Sequence, residues 1–202
     1  RVPRFISFSP NKNIKLPKTL GFPLVVKPAL EDSSGGEPFP LVDYHVHLTE
    51  QFTIERAVEL SQERGVKFGI VTHPGPHFGL ATDEDLERYI ANLRNYPVYV
   101  GLQPVYRGWS ERFSPDLLAE LDYVLMDADT VPLGDGRHLA IWKHDNYIED
   151  VDAFMALYMA HIEGILGHEP ITLFARPTYL PVNFARYYDE LWTAERVTQI
   201  IE

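Results

Sequence analysis

Leu41-Val42-Asp43-Tyr44-His45-Val46-His47 opens the regular pattern of this chain. Read as a strand, its side chains alternate between two faces. Asp43, His45 and His47 share one face; Val42, Tyr44, Val46 and Leu48 share the other. The apolar face packs under helices, which leaves the polar face to line a site. Two neutral imidazoles converging from one strand hold a divalent ion such as Zn, Mn or Fe. Two histidines on a solvated strand face give the same short motif, so the context that follows has to separate the readings.

That context is a regular alternation of strands and helices. After the strand at 41–47, Thr53 caps a helix with Ile54, Ala57, Val58 and Ser61 on one face, and Gly65 stops it. A second strand spans 66–72. Thr82 then caps a helix carrying Leu86, Tyr89, Ile90 and Leu93 at helical spacing, and a third strand covers 98–103. Ser114-Pro115-Asp116 has the form of a strong helix start, with a capping serine, a first-turn proline and an acid near the helix dipole. Strand four is expected at 123–126 and strand five at 171–174. The 150–166 segment between them reads as an amphipathic helix with Val151, Phe154, Met155, Tyr158, Ile162 and Ile165 on its buried stripe. A last helix starts near Thr193.

Five successive β-α units predict a parallel sheet with right-handed crossovers, either an open doubly wound sheet or part of a β/α barrel. Both place ligands at the carboxyl ends of the strands. Residues 1–40 differ in character. Prolines at 3, 10, 17, 23, 28, 38 and 40 and the run Ser33-Ser34-Gly35-Gly36 predict an extended arm, followed by a domain over 41–202.

The 202 residues suffice for one domain with a substantial core, and 45% apolar with 23% charged residues is ordinary for a globular protein. A net charge of −11 argues against passive binding to nucleic acid or an anionic membrane, and no apolar run approaches the ~18 residues a membrane span needs. With no cysteine there is no disulfide, thiolate metal site or cysteine nucleophile, and the compartment stays open. The chain starts at Arg1 without an initiator Met, which fits a removed leader or a start inside a longer chain.

Every expected strand delivers a polar side chain to one rim: His45 and His47, Thr72-His73 with His77 beyond, Gln103, Asp127 and Asp129, and Arg176. The run L-V-D-Y-H-V-H-L, a helix, G-V-K-F-G-I-V-T-H and then G-L-Q resembles the PHP (polymerase and histidinol phosphatase) family, over roughly residues 41–202. The resemblance implies a distorted, TIM-like β/α barrel and a metal-dependent phosphoesterase acting on a small phosphorylated substrate through a metal-activated water. It implies one or two Zn, Mn or Fe ions, with His45, His47, His73, Gln103 and Asp129 as ligands. Asp129 or His77 is the candidate general acid. Arg176 is the candidate substrate-binding residue, with a second reading in which it occupies the lost metal site and neutralises the nearby acids; pairing with Asp127 or Asp129 at a metal-free rim marks the non-catalytic binder.

The departures from the family are equally specific. Gln103 stands at a bridging glutamate, Asp129 and Arg176 stand at histidines, and Thr72 replaces an aspartate. A guanidinium cannot ligate a metal. The family's late Asp-x-His has no counterpart before Glu202, and five strands cannot close a barrel, so a further stretch of about 60 residues is expected. An amidohydrolase-type barrel also opens with H-x-H, but the lysine it places on strand four is missing. A reading from another class is a non-catalytic relative that binds a ligand or a protein. His138, His144, His161 and His168 read as surface residues. Tyr179, Phe184, Tyr187, Tyr188 and Trp192 read as packing.

Overall fold

The structure is a computed structural model that describes residues 41–144 and 148–201. The arm predicted over 1–40 lies outside the described residues. Seven strands appear in chain order: β1 Leu41–Val46, β2 Val66–Thr72, β3 Tyr99–Leu102, β4 Tyr123–Met126, β5 Thr130–Pro132, β6 His138–Ala140 and β7 Leu173–Phe174. The helices are α1 Ile54–Arg64, α2 Asp83–Leu93, α3 Pro115–Leu118, α4 Val151–His168, α5 Tyr188–Leu191 and α6 Ala194–Ile201.

Five strands form one curled parallel sheet in the order β1-β2-β3-β4-β7. Each new strand is added beside its predecessor in sequence, with no reversal of order. A doubly wound sheet needs such a reversal. The arrangement is therefore a half-barrel, compatible with part of a TIM-like β/α fold. β5 and β6 form a separate antiparallel hairpin inserted after β4.

Local chemistry explains the long helices. The Thr53 hydroxyl accepts from the Arg56 N–H at the start of α1, and Gly65 ends it in the left-handed region at φ 62°. Thr82 and Asp85 form a reciprocal capping box on α2. Asp150 caps α4 through the Ala153 N–H at 2.9 Å. The helix expected to be strong at Ser114 is a single turn without a side-chain cap. The Ser114 N–H donates instead to Asp83 Oδ1 at 2.9 Å, and Asp122 Oδ2 takes the Val100 N–H at 2.7 Å, which draws the chain straight into β4. The strand expected at 171–174 is only Leu173–Phe174, and the hairpin was not foreseen.

Strand alternation sorts the core. Phe68, Ile70, Val100, Leu102 and Val124 pack outward against Ile54, Ala57, Leu86, Ile90 and Leu93 of the helices. A second outer cluster joins Met126 to Phe154, Met155, Tyr158, Ile162 and Ile165 of α4, with Phe184 and Trp192 from the final segment. The opposite face of the sheet carries Val71, Tyr123 and Leu125, flanked by Tyr44, Tyr99 and Leu173. Tyr44 thus parts company with Val46 and Leu48, which pack on the outer cluster, although simple alternation groups the three.

Tyr123 explains two glycines. Its ring lies across β3 and β2, and its hydroxyl donates to the Tyr44 carbonyl on β1 at 2.9 Å. A Cβ at Gly101 would sit 2.4 Å from its Cζ, and one at Gly69 would sit 2.4 Å from its hydroxyl. No side chain fits at either position while the ring is there. A further correction concerns His161. It is 4% exposed inside α4, and neither ring nitrogen has a hydrogen-bond partner among the described residues. The residue was read as surface because the α4 stripe is wider than the six positions that mark it in the sequence.

Candidate functional site

The inner face of the sheet is a ladder of odd-numbered residues: Gly69 and Val71 on β2, Tyr99 and Gly101 on β3, Tyr123 and Leu125 on β4. One step further along each strand, the same parity falls on His73, Gln103 and Asp127. The Gln103 N–H donates to the Thr72 carbonyl at 2.9 Å, so the ladder continues past the assigned end of β3. Polar residues thus stand where the apolar rows end, at the carboxyl edge of the parallel sheet.

These residues form one hydrogen-bonded chain. Arg176 Nη2 donates to Asp127 Oδ2 at 2.7 Å and to Asp129 Oδ2 at 2.6 Å. Gln103 Nε2 donates to the same Asp127 oxygen at 3.0 Å. That bond fixes which end of the amide is oxygen, and Gln103 Oε1 lies 2.6 Å from His47 Nε2. An amide oxygen only accepts, so His47 Nε2 carries the proton and its lone pair sits on Nδ1. His73 Nδ1 lies 2.8 Å from the Gln103 backbone carbonyl. It must likewise be protonated, which leaves His73 Nε2 as the basic nitrogen.

The imidazoles lie side by side. Ring centroids are 5.3 Å apart for His45 and His47 and 4.9 Å for His47 and His73, and Phe78 packs on His73 at 5.0 Å. Burial, followed by the neighbouring His73, lowers the His47 pKa and keeps that ring neutral. Gln103 and Asp127 are each 6% exposed. Burial works against ionisation of Asp127, but bonds from Asp129 and Arg176 outweigh it and hold its pKa below the usual carboxylate value. Asp129 behaves oppositely: burial and the adjacent Asp127 charge push it up to about 6. One carboxylate of the pair stays ionised while the other holds a proton in mild acid.

The backbone at Arg176 has φ 47°, the one non-glycine positive φ among the described residues. Such a conformation costs on the order of 1 kcal/mol and persists only where contacts outweigh it. Here the contacts are two ion pairs, the Tyr179 ring 4.8 Å from the guanidinium carbon, and the Tyr179 N–H on the Arg176 carbonyl at 3.0 Å.

Of the residues expected from sequence, His45, His47, His73, Gln103, Asp129 and Arg176 meet at this rim. His77 does not. It is exposed in a short turn, and no hydrogen bond or ring contact joins it to the network among the described residues. Asp127, expected at the rim as a partner for Arg176 but not as a ligand or catalytic group, is the hub. Its signal was present, since Asp127-Ala128-Asp129 continues the alternation of a buried strand. Among the described residues no group of three His, Cys, Asp or Glu side chains is arranged to hold a metal ion. The lone pairs on His47 Nδ1 and His73 Nε2 remain, but both aspartates are turned to Arg176 and Gln103 adds no charge. As arranged, the set does not fit a divalent ion.

No protein-family model, curated protein or solved structure matches this chain. No helix among the described residues is long and apolar enough to cross a membrane.

Proposed function

We propose that the rim is the site of a hydrolase acting on a small phosphorylated substrate. The observation that carries this reading is the division of labour along the network. A cation after β7, a carboxyl group titrating near 6 after β4 and an imidazole with a basic Nε2 after β2 stand on one edge of the sheet. Arg176 is the substrate anchor. Among the described residues only Nη2 is hydrogen-bonded, which leaves the N–H groups on Nε and Nη1 for phosphoryl oxygens, and the side chain is 38% exposed. His73 Nε2 accepts a proton from the attacking water, whose oxygen bonds to phosphorus. As the P–O bond to the leaving group breaks, protonated Asp129 delivers its proton to the departing oxygen.

The test is hydrolysis of a phosphomonoester panel by the chain and by His73→Ala, Asp129→Asn and Arg176→Ala, each with and without added Mn and Zn. Loss of either proton-transfer group lowers kcat by about 100-fold or more, while Arg176→Ala acts mainly on KM. Turnover equal in all four proteins overturns the reading. One observation favours a second reading, a binding site without turnover. Gln103 and Arg176 already satisfy the aspartates, as a purely structural network would. Phosphate binding that depends on Arg176, with no hydrolysis of any ester, identifies that case.

A further inference from the structure

Asp127 and Asp129 have side-chain exposures of 5% and 16%, and such a pair has to be neutralised. A single nitrogen bridges the two carboxylates and offsets one of their two charges. Arg176 Nη2 bridges Asp127 Oδ2 and Asp129 Oδ2 at 2.7 and 2.6 Å, as one cation shared by two carboxylates. The neighbouring amide supports the same arrangement, because Gln103 turns its N–H to Asp127 and its oxygen away toward His47. A glutamate at 103 would instead add a third negative charge. The residue that supplies the guanidinium has its backbone at φ 47°.

We infer that Arg176 is the resident cation of this site, filling in this chain the place that two strand-end carboxylates would otherwise give to a divalent ion, and that removing it uncovers a hard-metal site. The inference concerns the carboxylates alone and stands whether or not the rim turns over a phosphoester. Carboxylate oxygens suit Mn²⁺ or Mg²⁺. The uncovered site would draw on Asp127, Asp129 and, after substitution, position 103.

Arg176→Gly is the informative variant, because glycine adopts the left-handed backbone without strain and so removes the guanidinium while easing the chain. Mn²⁺ binding is measured by calorimetry and by the electron paramagnetic resonance of free Mn²⁺. It is compared across the wild type, Arg176→Gly, Arg176→Gly/Gln103→Glu, Arg176→Gly/Asp127→Asn and Arg176→Lys. Expected is at least a tenfold gain in Mn²⁺ affinity for Arg176→Gly and a larger one with Gln103→Glu. The gain disappears with Asp127→Asn, and Arg176→Lys stays like the wild type because the charge is kept. Mn²⁺ should also raise the melting temperature of Arg176→Gly but not of the wild type. Two results overturn the inference: a folded Arg176→Gly protein with wild-type Mn²⁺ affinity, or a wild type that binds Mn²⁺ and loses it at least tenfold on Asp127→Asn.

Discussion

At the scale of single residues, the rim is a problem in proton placement, and Gln103 solves it. Because its amide donates to Asp127, its oxygen faces His47 and sets that tautomer, while its backbone carbonyl sets the tautomer of His73. Gln103→Leu should therefore release His47 after β1 and Asp127 after β4 while the backbone bond to His73 survives, a difference that nitrogen NMR of the imidazoles would read. Asp129 makes a second prediction. Its carboxyl is pushed up to about 6, first by burial and then by Asp127. If it is the proton donor, kcat falls as pH rises through about 6, and Asp129→Asn removes that limb from the pH profile. His161 gives a third. Burial lowers its pKa to about 4, below the usual 6.5, so between these values the unfolded chain binds the extra proton. Its contribution is present above pH ~6.5 and is lost as pH falls toward ~4, by up to about 3 kcal/mol at 1.36 kcal/mol per unit. Denaturant melts of His161→Leu should show a flatter pH dependence across that window.

Secondary structure was legible where local chemistry and burial agree. Thr53, Gly65 and Thr82 mark helix ends by capping, and the apolar runs of β2 and β4 are read correctly to the residue. Local signals failed where tertiary contacts compete. Ser114 stands at the N-cap with Pro115 after it, but the helix it opens stops at Leu118, and the strand expected at 171–174 is held only over its last two residues. The hairpin was hidden because its strands are three residues each, too short to show alternation. Gly101 carries a prediction of its own. Gly101→Ala places a Cβ 2.4 Å from the Tyr123 ring, which should cost roughly 1–3 kcal/mol in a chemical melt. Tyr123→Phe keeps the ring, loses the bond to the Tyr44 carbonyl and should cost about 1 kcal/mol.

The whole molecule decides how much of the site the sequence could show. Strands added in chain order bring residues far apart in sequence, His47 and Arg176 among them, to one edge, and the parallel pattern announced that edge in advance. The residue types at the edge are therefore readable, and the pairing of Arg176 with Asp127 or Asp129 is one of the two readings its position allows. That one guanidinium reaches both aspartates, from a backbone at positive φ, is what no pattern around it signals. The central claim is a proton-transfer site of cation, acid and base, and kinetics tests it most directly. The measurement is phosphomonoester hydrolysis by the chain and by His73→Ala between pH 5 and 8, with and without Mn and Zn. Turnover that falls about 100-fold or more in the variant, with folding unchanged, is the result the account predicts. Turnover in His73→Ala equal to that of the unaltered chain, or none in either protein under any condition, would contradict it.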